Sequence, residues 1–340
     1  MDLSTTYLGL ALQHPLMAGA SPLVDNLDTV RELEDAGTSA IVMRSLFEEQ
    51  IERESLGTMR DMELHANSNP EGLSYLPEPH EFALGPHAYL EQIRRVKEAV
   101  AVPVIASLNG TTPTGWLDYA GLMEQAGADA LEMNVYEVPT DPLQTAEALE
   151  QRITDIVRAV KARVKIPVAV KLSPFISSLP NFAQKLQTAG ADGLVLFNRI
   201  LMPDFDLEQL ELTPKLLLSR PTELPLRLNA LAILHGAFKG SLACSGGVHD
   251  SLGAVKAVFA GASSVQVVSA LLQHGPSYLQ TLREGMEEWL EQHEYESLRQ
   301  GLGSMSMATV PNPHAFQRAS YMRVLQGWRP EAIQSATHPK

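Results

Sequence analysis

Eight short apolar runs in this chain each stop on residues able to bind or react. In chain order the closing residues are Ala18-Gly19-Ala20-Ser21, Arg44-Ser45, Ser107-Leu108-Asn109, Asn134, Lys171, Asn198-Arg199, Ser245-Gly246-Gly247 and Ser269-Ala270. Arginine and lysine bring positive charge, the asparagines bring amides that both donate and accept, and the serines bring hydroxyls. Gathered at one place, such a set suits a polar, anionic ligand. The Gly246-Gly247 pair lets backbone N–H groups approach an anion closely, and Ser269-Ala270 opens the next helical segment, so these two ends predict a phosphate corner. Lys171 admits two chemistries: a cation that stabilises developing negative charge, or a desolvated amine that attacks a carbonyl as a Schiff-base nucleophile.

The elements that must carry these residues follow from a repeated phrase. Ala-Gly, two or three small residues and an apolar run recur as AGTSAIVMRS (Ala36 to Ser45), AGADALEMNV (Ala126 to Val135), AGADGLVLFN (Ala189 to Asn198) and AGASSVQVVS (Ala260 to Ser269). Glycine ends a helix in the left-handed turn, and a run of this length matches a strand buried on both faces. Four further runs interleave with them: HPLMAGAS (His14 to Ser21), VPVIASLNG (Val102 to Gly110), IPVAVKLSP (Ile166 to Pro174) and SLACSGGV (Ser241 to Val248). Eight strand-helix units in 340 residues predict one α/β domain, a (β/α)8 TIM barrel with long loops at the carboxyl end of the strands. A doubly wound open sheet is the other candidate, and its G-x-G-x-x-G turn after the first strand is absent. Barrels keep their chemistry at the carboxyl ends of the strands, where the polar residues above stand.

Composition narrows the function classes. A formal net charge of −14 opposes binding to nucleic acid or an anionic membrane surface, and no stretch is long and apolar enough for a membrane span. One cysteine precludes internal disulfides and thiolate metal clusters, and the 10 histidines show no ligand spacing, so no metal site is expected. With no basic leader visible, a soluble cytoplasmic protein is expected. Cys244, inside the seventh run, reads as a buried core thiol. Three stretches exceed a minimal barrel: Leu46 to Glu91, Val135 to Leu143 and Arg199 to Arg227. Their place after strands 2, 4 and 6 predicts loops that cover the site, with dimer contacts or surface decoration as the alternative. Residues 301–340 predict a C-terminal helical tail packed on the barrel within a single 1–340 domain.

Taken together, Ser245-Gly246-Gly247-Val248, AGASSVQVVSAL with Gly275-Pro276, VAVKLSPF (Val168 to Phe175), AGADALEMN and PLMAGA (Pro15 to Ala20) resemble the dihydroorotate dehydrogenase family. The likeness is greatest to its class 1 branch and to the related flavin domain of dihydropyrimidine dehydrogenase, and it covers about the first 300 residues. The resemblance implies a barrel holding one FMN. By position it implies cofactor binding by Ala18, Gly19, Arg44, Ser45, Asn109, Asn134, Lys171, Asn198, Ser245, Gly246, Gly247, Ser269 and Ala270. Lys171 resembles the family lysine beside the flavin pyrimidine edge, and Asn134 and Asn198 resemble amides that bridge flavin and substrate. As local alternatives, either asparagine caps a helix.

The chain departs from the family where the family's substrate sits. The loop after strand 4 in the family reads Asn-x-Ser-Cys-Pro-Asn, or has serine for cysteine, and that side chain takes a proton from the substrate. Here the loop is Asn134-Val135-Tyr136-Glu137-Val138-Pro139. Glu137 falls at the position of the base; a solvated loop glutamate is the alternative. Arg44 replaces a family lysine, and Gly72 to Pro77 (GLSYLP) is the nearest counterpart of an asparagine-bearing loop. The expectation is an FMN-dependent oxidoreductase acting on dihydroorotate or a related dihydropyrimidine-like ring. A homodimer and an electron-transfer partner are implied by the same resemblance. The competing readings are a cofactor-free phosphate-binding lyase or isomerase using Lys171, and a flavin-binding protein whose catalytic loop has degenerated.

Overall fold

The computed structural model describes residues 1–52, 85–112, 117–199, 203–213, 217–316 and 318–327. All eight apolar runs form parallel strands of one closed barrel. They are β3 (Leu16–Ala18), β4 (Ile41–Val42), β6 (Val104–Asn109), β7 (Ala130–Asn134), β8 (Val168–Leu172), β9 (Gly193–Leu196), β12 (Ser241–Ser245) and β13 (Ser264–Val267). Closure is direct: β4 pairs with both β3 and β6, and β13 pairs with both β12 and β3. A doubly wound open sheet is therefore ruled out. Two antiparallel hairpins lie outside the barrel, β1 (Thr5–Tyr7) with β2 (Leu10–Leu12) and β10 (Asp204–Asp206) with β11 (Glu211–Thr213). A short β5 (Leu46–Phe47) extends along β6.

The helices that follow the strands are α1 (Leu27–Asp35), α2 (Pro86–Ala99), α3 (Asp118–Gln125), α4 (Ala146–Lys161), α5 (Leu179–Ala189), α6 (Leu224–Leu234), α7 (Ser251–Ala260) and α8 (Ser269–His274), then α9 (Tyr278–Gln292) and α10 (Leu298–Gly301). The four Ala-Gly copies end their helices as the phrase demands, with Gly37, Gly127, Gly190 and Gly261 at φ of 85°, 101°, 103° and 122°. The aspartates of the two AGAD copies then tie helix to sheet. Asp129 accepts from Lys97 and the Val104 N–H, both at 2.7 Å. Asp192 accepts from Lys161 at 2.7 Å and the Val168 N–H at 2.8 Å. Each carboxylate thus takes an N–H at the start of a strand that has no ladder partner there.

Side chains alternate along each strand, so one set faces the helices and the other the barrel axis. The axial set begins with Met17, Val42, Ile105, Ala130, Ala169, Val195 and Ala243. Tyr7, Leu8 and Leu12 of the amino-terminal hairpin fill the space among them and close that end. Two residues further along, the same faces carry Gly19, Arg44, Ser107, Glu132, Lys171, Phe197 and Ser245, so the interior changes from apolar to polar toward the carboxyl end. Beyond α10 the chain bonds onto the outside of the barrel through Gly303 N to Val258 O, Met305 N to Phe259 O and Met307 N to Ala232 O. The last helix among the described residues, α11 (Arg318–Gly327), keeps Tyr321, Met322, Val324 and Leu325 largely exposed. No helix among the described residues is long and apolar enough to cross a membrane.

Candidate functional site

At the level where the interior turns polar, three side chains close a ring. Lys171 Nζ donates to Glu132 Oε1 at 3.0 Å and to Gln266 Oε1 at 3.1 Å. The Gln266 amide in turn donates from Nε2 to Glu132 Oε2. All three are nearly sealed from water, Glu132 and Gln266 at 1% exposure and Lys171 at 7%. A buried charge survives only when paired and hydrogen-bonded, and this ring supplies both conditions. Lys171 is engaged as a donor to two acceptors, an arrangement suited to an ammonium ion and unlike that of a nucleophilic amine. Glu132 and Gln266 were missed by the sequence reading. The signal was there: a lone charged or amide residue inside an apolar run, on the same strand face as a polar residue two positions away for Glu132 and Asn134.

Beside this ring stands a neutral cluster. Asn134 Nδ2 donates to Ser107 Oγ at 2.9 Å and to Ser45 Oγ at 3.0 Å, and the two hydroxyls lie 2.7 Å apart. The Tyr89 hydroxyl, reaching in from α2, donates to Ser107 O and accepts from Ser107 N, both at 3.0 Å. Burial holds that hydroxyl far above the ordinary tyrosine range, so it stays a neutral phenol. With both Nδ2 hydrogens used, Asn134 has its carbonyl oxygen left to offer a ligand. Asn109 pairs in register with Asn134 across β6 and β7, and Asn134 with Lys171 across β7 and β8, so three polar strand ends adjoin. Asn198 follows β9, its N–H bonded to Leu172 O at 2.8 Å.

The opposite corner is built by β12, β13 and the segment before α6. Gly246 and Gly247 both have positive φ, at 85° and 84°, so the turn after Ser245 takes a path closed to most side chains. A Cβ on Gly247 would lie 2.7 Å from Leu224 N. Gly247 N donates to Ser219 Oγ at 3.1 Å, and Ser219 Oγ lies 2.9 Å from Ser269 Oγ. A serine oxygen thus already sits where the turn and the start of α8 converge. Arg227, buried at 5%, donates from Nε to Ser245 O at 3.1 Å and underlies Gly246. Its neighbour Glu223 also accepts from Arg199 Nη1 at 2.6 Å. Burial lowers the Arg227 value from its ordinary one, against the pull of Glu223, and pushes the adjacent Cys244 thiol up to about 12. Ser219 and Arg227 were invisible in sequence because each meets its partner only when separate elements pack together.

Ala18 and Gly19 lie at the end of β3, with Ala18 N bonded to Ala40 O and Gly19 N to Val267 O, both at 3.1 Å. A side chain on Gly19 would collide with Val268 Cγ2 at 2.6 Å. Ala270 is fully buried in the first turn of α8. Arg44, exposed at the barrel mouth, donates to Asp25 Oδ2 at 2.8 Å. Glu48, also unread in the sequence, is buried at 5% and accepts the Thr111 N–H at 2.8 Å, joining the segment after β5 to the loop after β6. Glu137 stands apart from the ring: Arg152 of α4 donates to its Oε1 at 2.6 Å, and Gln144 Nε2 lies 3.3 Å from the same oxygen. Gly72 to Pro77 lies outside the described residues. Among the described residues no group of three His, Cys, Asp or Glu side chains comes together.

Comparison with known proteins bears on this arrangement. Residues 83–290 match the family model described as dihydroorotate dehydrogenase. The catalytic subunit of dihydroorotate dehydrogenase B (NAD(+)) from Thermoplasma volcanium is 27% identical over 315 residues, covering 89% of this chain and 98% of that protein. The same subunit from Geobacter sp. strain M21 is 30% identical over 239 residues, covering 66% of this chain and 75% of that protein. The chloroplastic dihydropyrimidine dehydrogenase (NADP(+)) of Arabidopsis thaliana is 24% identical over 326 residues, covering 89% and 76%. The family match takes in six of the eight barrel strands and every part of the lysine ring, and on it the chain belongs to the dihydroorotate dehydrogenase family.

Proposed function

We propose that this protein is an FMN-dependent oxidoreductase acting on a carbon–carbon bond of a flat polar ring of the dihydroorotate or dihydropyrimidine kind. The observation that carries the reading is Lys171: a buried cation at the polar end of the barrel, paired with a buried carboxylate and in register with Asn134 on the neighbouring strand. The donor set fits the group. The turn after β12 leaves no room for a side chain at Gly247, and the Ser219 and Ser269 hydroxyls meet beside the Gly247 N–H, a set of small donors that suits a phosphate. Bound there, FMN would supply hydride acceptance, with negative charge building on its pyrimidine edge.

The chain's own residues would act around it. Lys171 would hold a positive charge at the edge where negative charge develops, and Asn134 and Asn198 would orient ring substituents by their amides. Proton removal falls to Glu137, whose release from Arg152 would then be part of the cycle. The Glu137–Arg152 pair supports a second reading, a flavin-binding protein whose loop base is no longer available. A cytoplasmic homodimer served by a separate electron-transfer partner belongs to the same proposal; the relative named a catalytic subunit supports such a partner.

The test is direct. Purified protein, titrated with FMN after removal of any bound cofactor, should bind it stoichiometrically with a resolved visible spectrum. A protein that takes up no FMN ends the proposal. A borohydride-trapped adduct of Lys171 with a carbonyl compound would replace it with the lyase.

A further inference from the structure

We infer that Glu132 and Gln266 are positioning residues that fix the ammonium of Lys171 with one N–H aimed at the open end of the barrel. The role toward a flavin rests on the function proposed above; the ring itself does not. An ammonium has three N–H donors. Two are taken, by Glu132 Oε1 at 3.0 Å and Gln266 Oε1 at 3.1 Å. Glu132 lies two residues before Asn134, and Asn134 is the register partner of Lys171, so the carboxylate springs from one strand repeat nearer the amino end. It lies toward the plugged end, above Ala130 and Ala169. The third donor is left for the carboxyl end, where the asparagines and the turn stand.

The ring also decides what else can hold the proton inventory of this pocket. Two tyrosines lie within reach of the Glu132 charge, Tyr7 from the amino-terminal hairpin and Tyr89 from α2. Burial keeps both as neutral phenols; the charge of Glu132 adds to this, against the Ser107 backbone hydrogen bond at Tyr89. Glu132 is thus the single counter-charge of Lys171 among the described ion pairs. A free lysine side chain gives up rotamer freedom when it is ordered. Here that cost is met by the fold, before any ligand arrives, which is what a preorganised electrostatic site requires.

The experiment is competitive acylation of the apoprotein with acetic anhydride at about pH 8, following the Lys171 peptide against exposed Lys239 by mass spectrometry. Glu132→Gln should speed Lys171 acylation about tenfold relative to Lys239, because a desolvated ammonium without its counter-charge sheds its proton more readily. Glu132→Asp, which keeps the charge, should restore most of the slow labelling. Gln266→Leu keeps the carboxylate and should leave labelling within about twofold of the parent, yet weaken binding of reduced FMN more than oxidised FMN, measured as a more negative bound-flavin potential. Unchanged Lys171 labelling in folded Glu132→Gln, or a Gln266→Leu flavin potential equal to the parent's, would overturn the inference. A wild type that takes up no FMN would remove only the flavin role, since the labelling needs none.

Discussion

Arg152 Nη2 lies 2.6 Å from Glu137 Oε1, joining the loop after β7 to the helix that follows it. The carboxylate expected to remove a substrate proton is therefore held by a guanidinium on the outer layer, with Gln144 alongside. A carboxylate so engaged has little lone-pair capacity left for a substrate. Dihydroorotate should reduce the bound flavin slowly or not at all, short by roughly the 10²- to 10⁴-fold that a general base supplies. Arg152→Met should raise that rate, and the added Glu137→Gln change should abolish the gain. Stopped-flow reduction that is fast in the parent and indifferent to Glu137→Gln would sink the assignment.

The turn at Gly247 yields a separable prediction. Gly247→Ala places a side chain at φ 84° with its Cβ 2.7 Å from Leu224 N, so the turn must shift. Strain of the left-handed backbone alone costs about 1–2 kcal/mol. Gly275→Ala has the same φ of 84°, at ψ 170°, and open space around it, so it should show a backbone strain of its own without the displacement. FMN titration should find affinity reduced about tenfold or more in the first variant and unchanged in the second. Gly246→Asp would be a poor probe of the same corner, because Arg227 Nη2 lies 3.2 Å from where its Cβ would be and offers a compensating cation.

Asp192 and Lys161 share a bond at 2.7 Å yet should differ in worth. Asp192→Ala strands the buried Val168 N–H at the start of β8 and should cost about 1–3 kcal/mol. Lys161→Met removes only a half-exposed ion pair and should cost about 0–1 kcal/mol. Urea unfolding of the two variants distinguishes an N–H partner from a salt bridge; equal losses would contradict the assignment.

His14 sets a pH dependence. Its ring is buried, Nδ1 accepts from Leu16 N at 3.2 Å, and Nε2 lies 2.6 Å from Gly37 O. Burial lowers its value from the ordinary 6.5, opposed by the Gly37 carbonyl and aided by Arg283. Between the lowered and ordinary values the unfolded chain binds more protons, so stability rises with pH there. The contribution is present above about pH 6.5 and is lost as pH falls through the lowered value. Denaturant midpoints should drop on acidification across that window, and less so in His14→Asn. A parallel decline in both proteins would assign the effect elsewhere.

How much of this was readable in advance depended on sequence distance. The four Ala-Gly phrases marked helix ends because glycine alone takes that backbone cheaply, and all four glycines adopt it. The doubly buried strands of a barrel appear as continuous apolar runs, so all eight were legible, as was the polar residue ending each. Lys171 stood out because a cation closing such a run needs a reason.

Its partners did not. Glu132 and Gln266 lie 39 and 95 residues from Lys171, on β7 and β13, and β13 reaches the lysine only because the sheet closes through β3 and β4. Ser219 meets Ser269 over 50 residues and Arg152 meets Glu137 from another layer. Local chemistry wrote the strands, the helix ends and the polar rim into the sequence, since each is decided by residues a few positions apart. Which carboxylate faces the lysine and which is tied to an arginine was decided only when strands paired and the outer helices packed, because a buried charge takes the partner that the finished fold brings within reach.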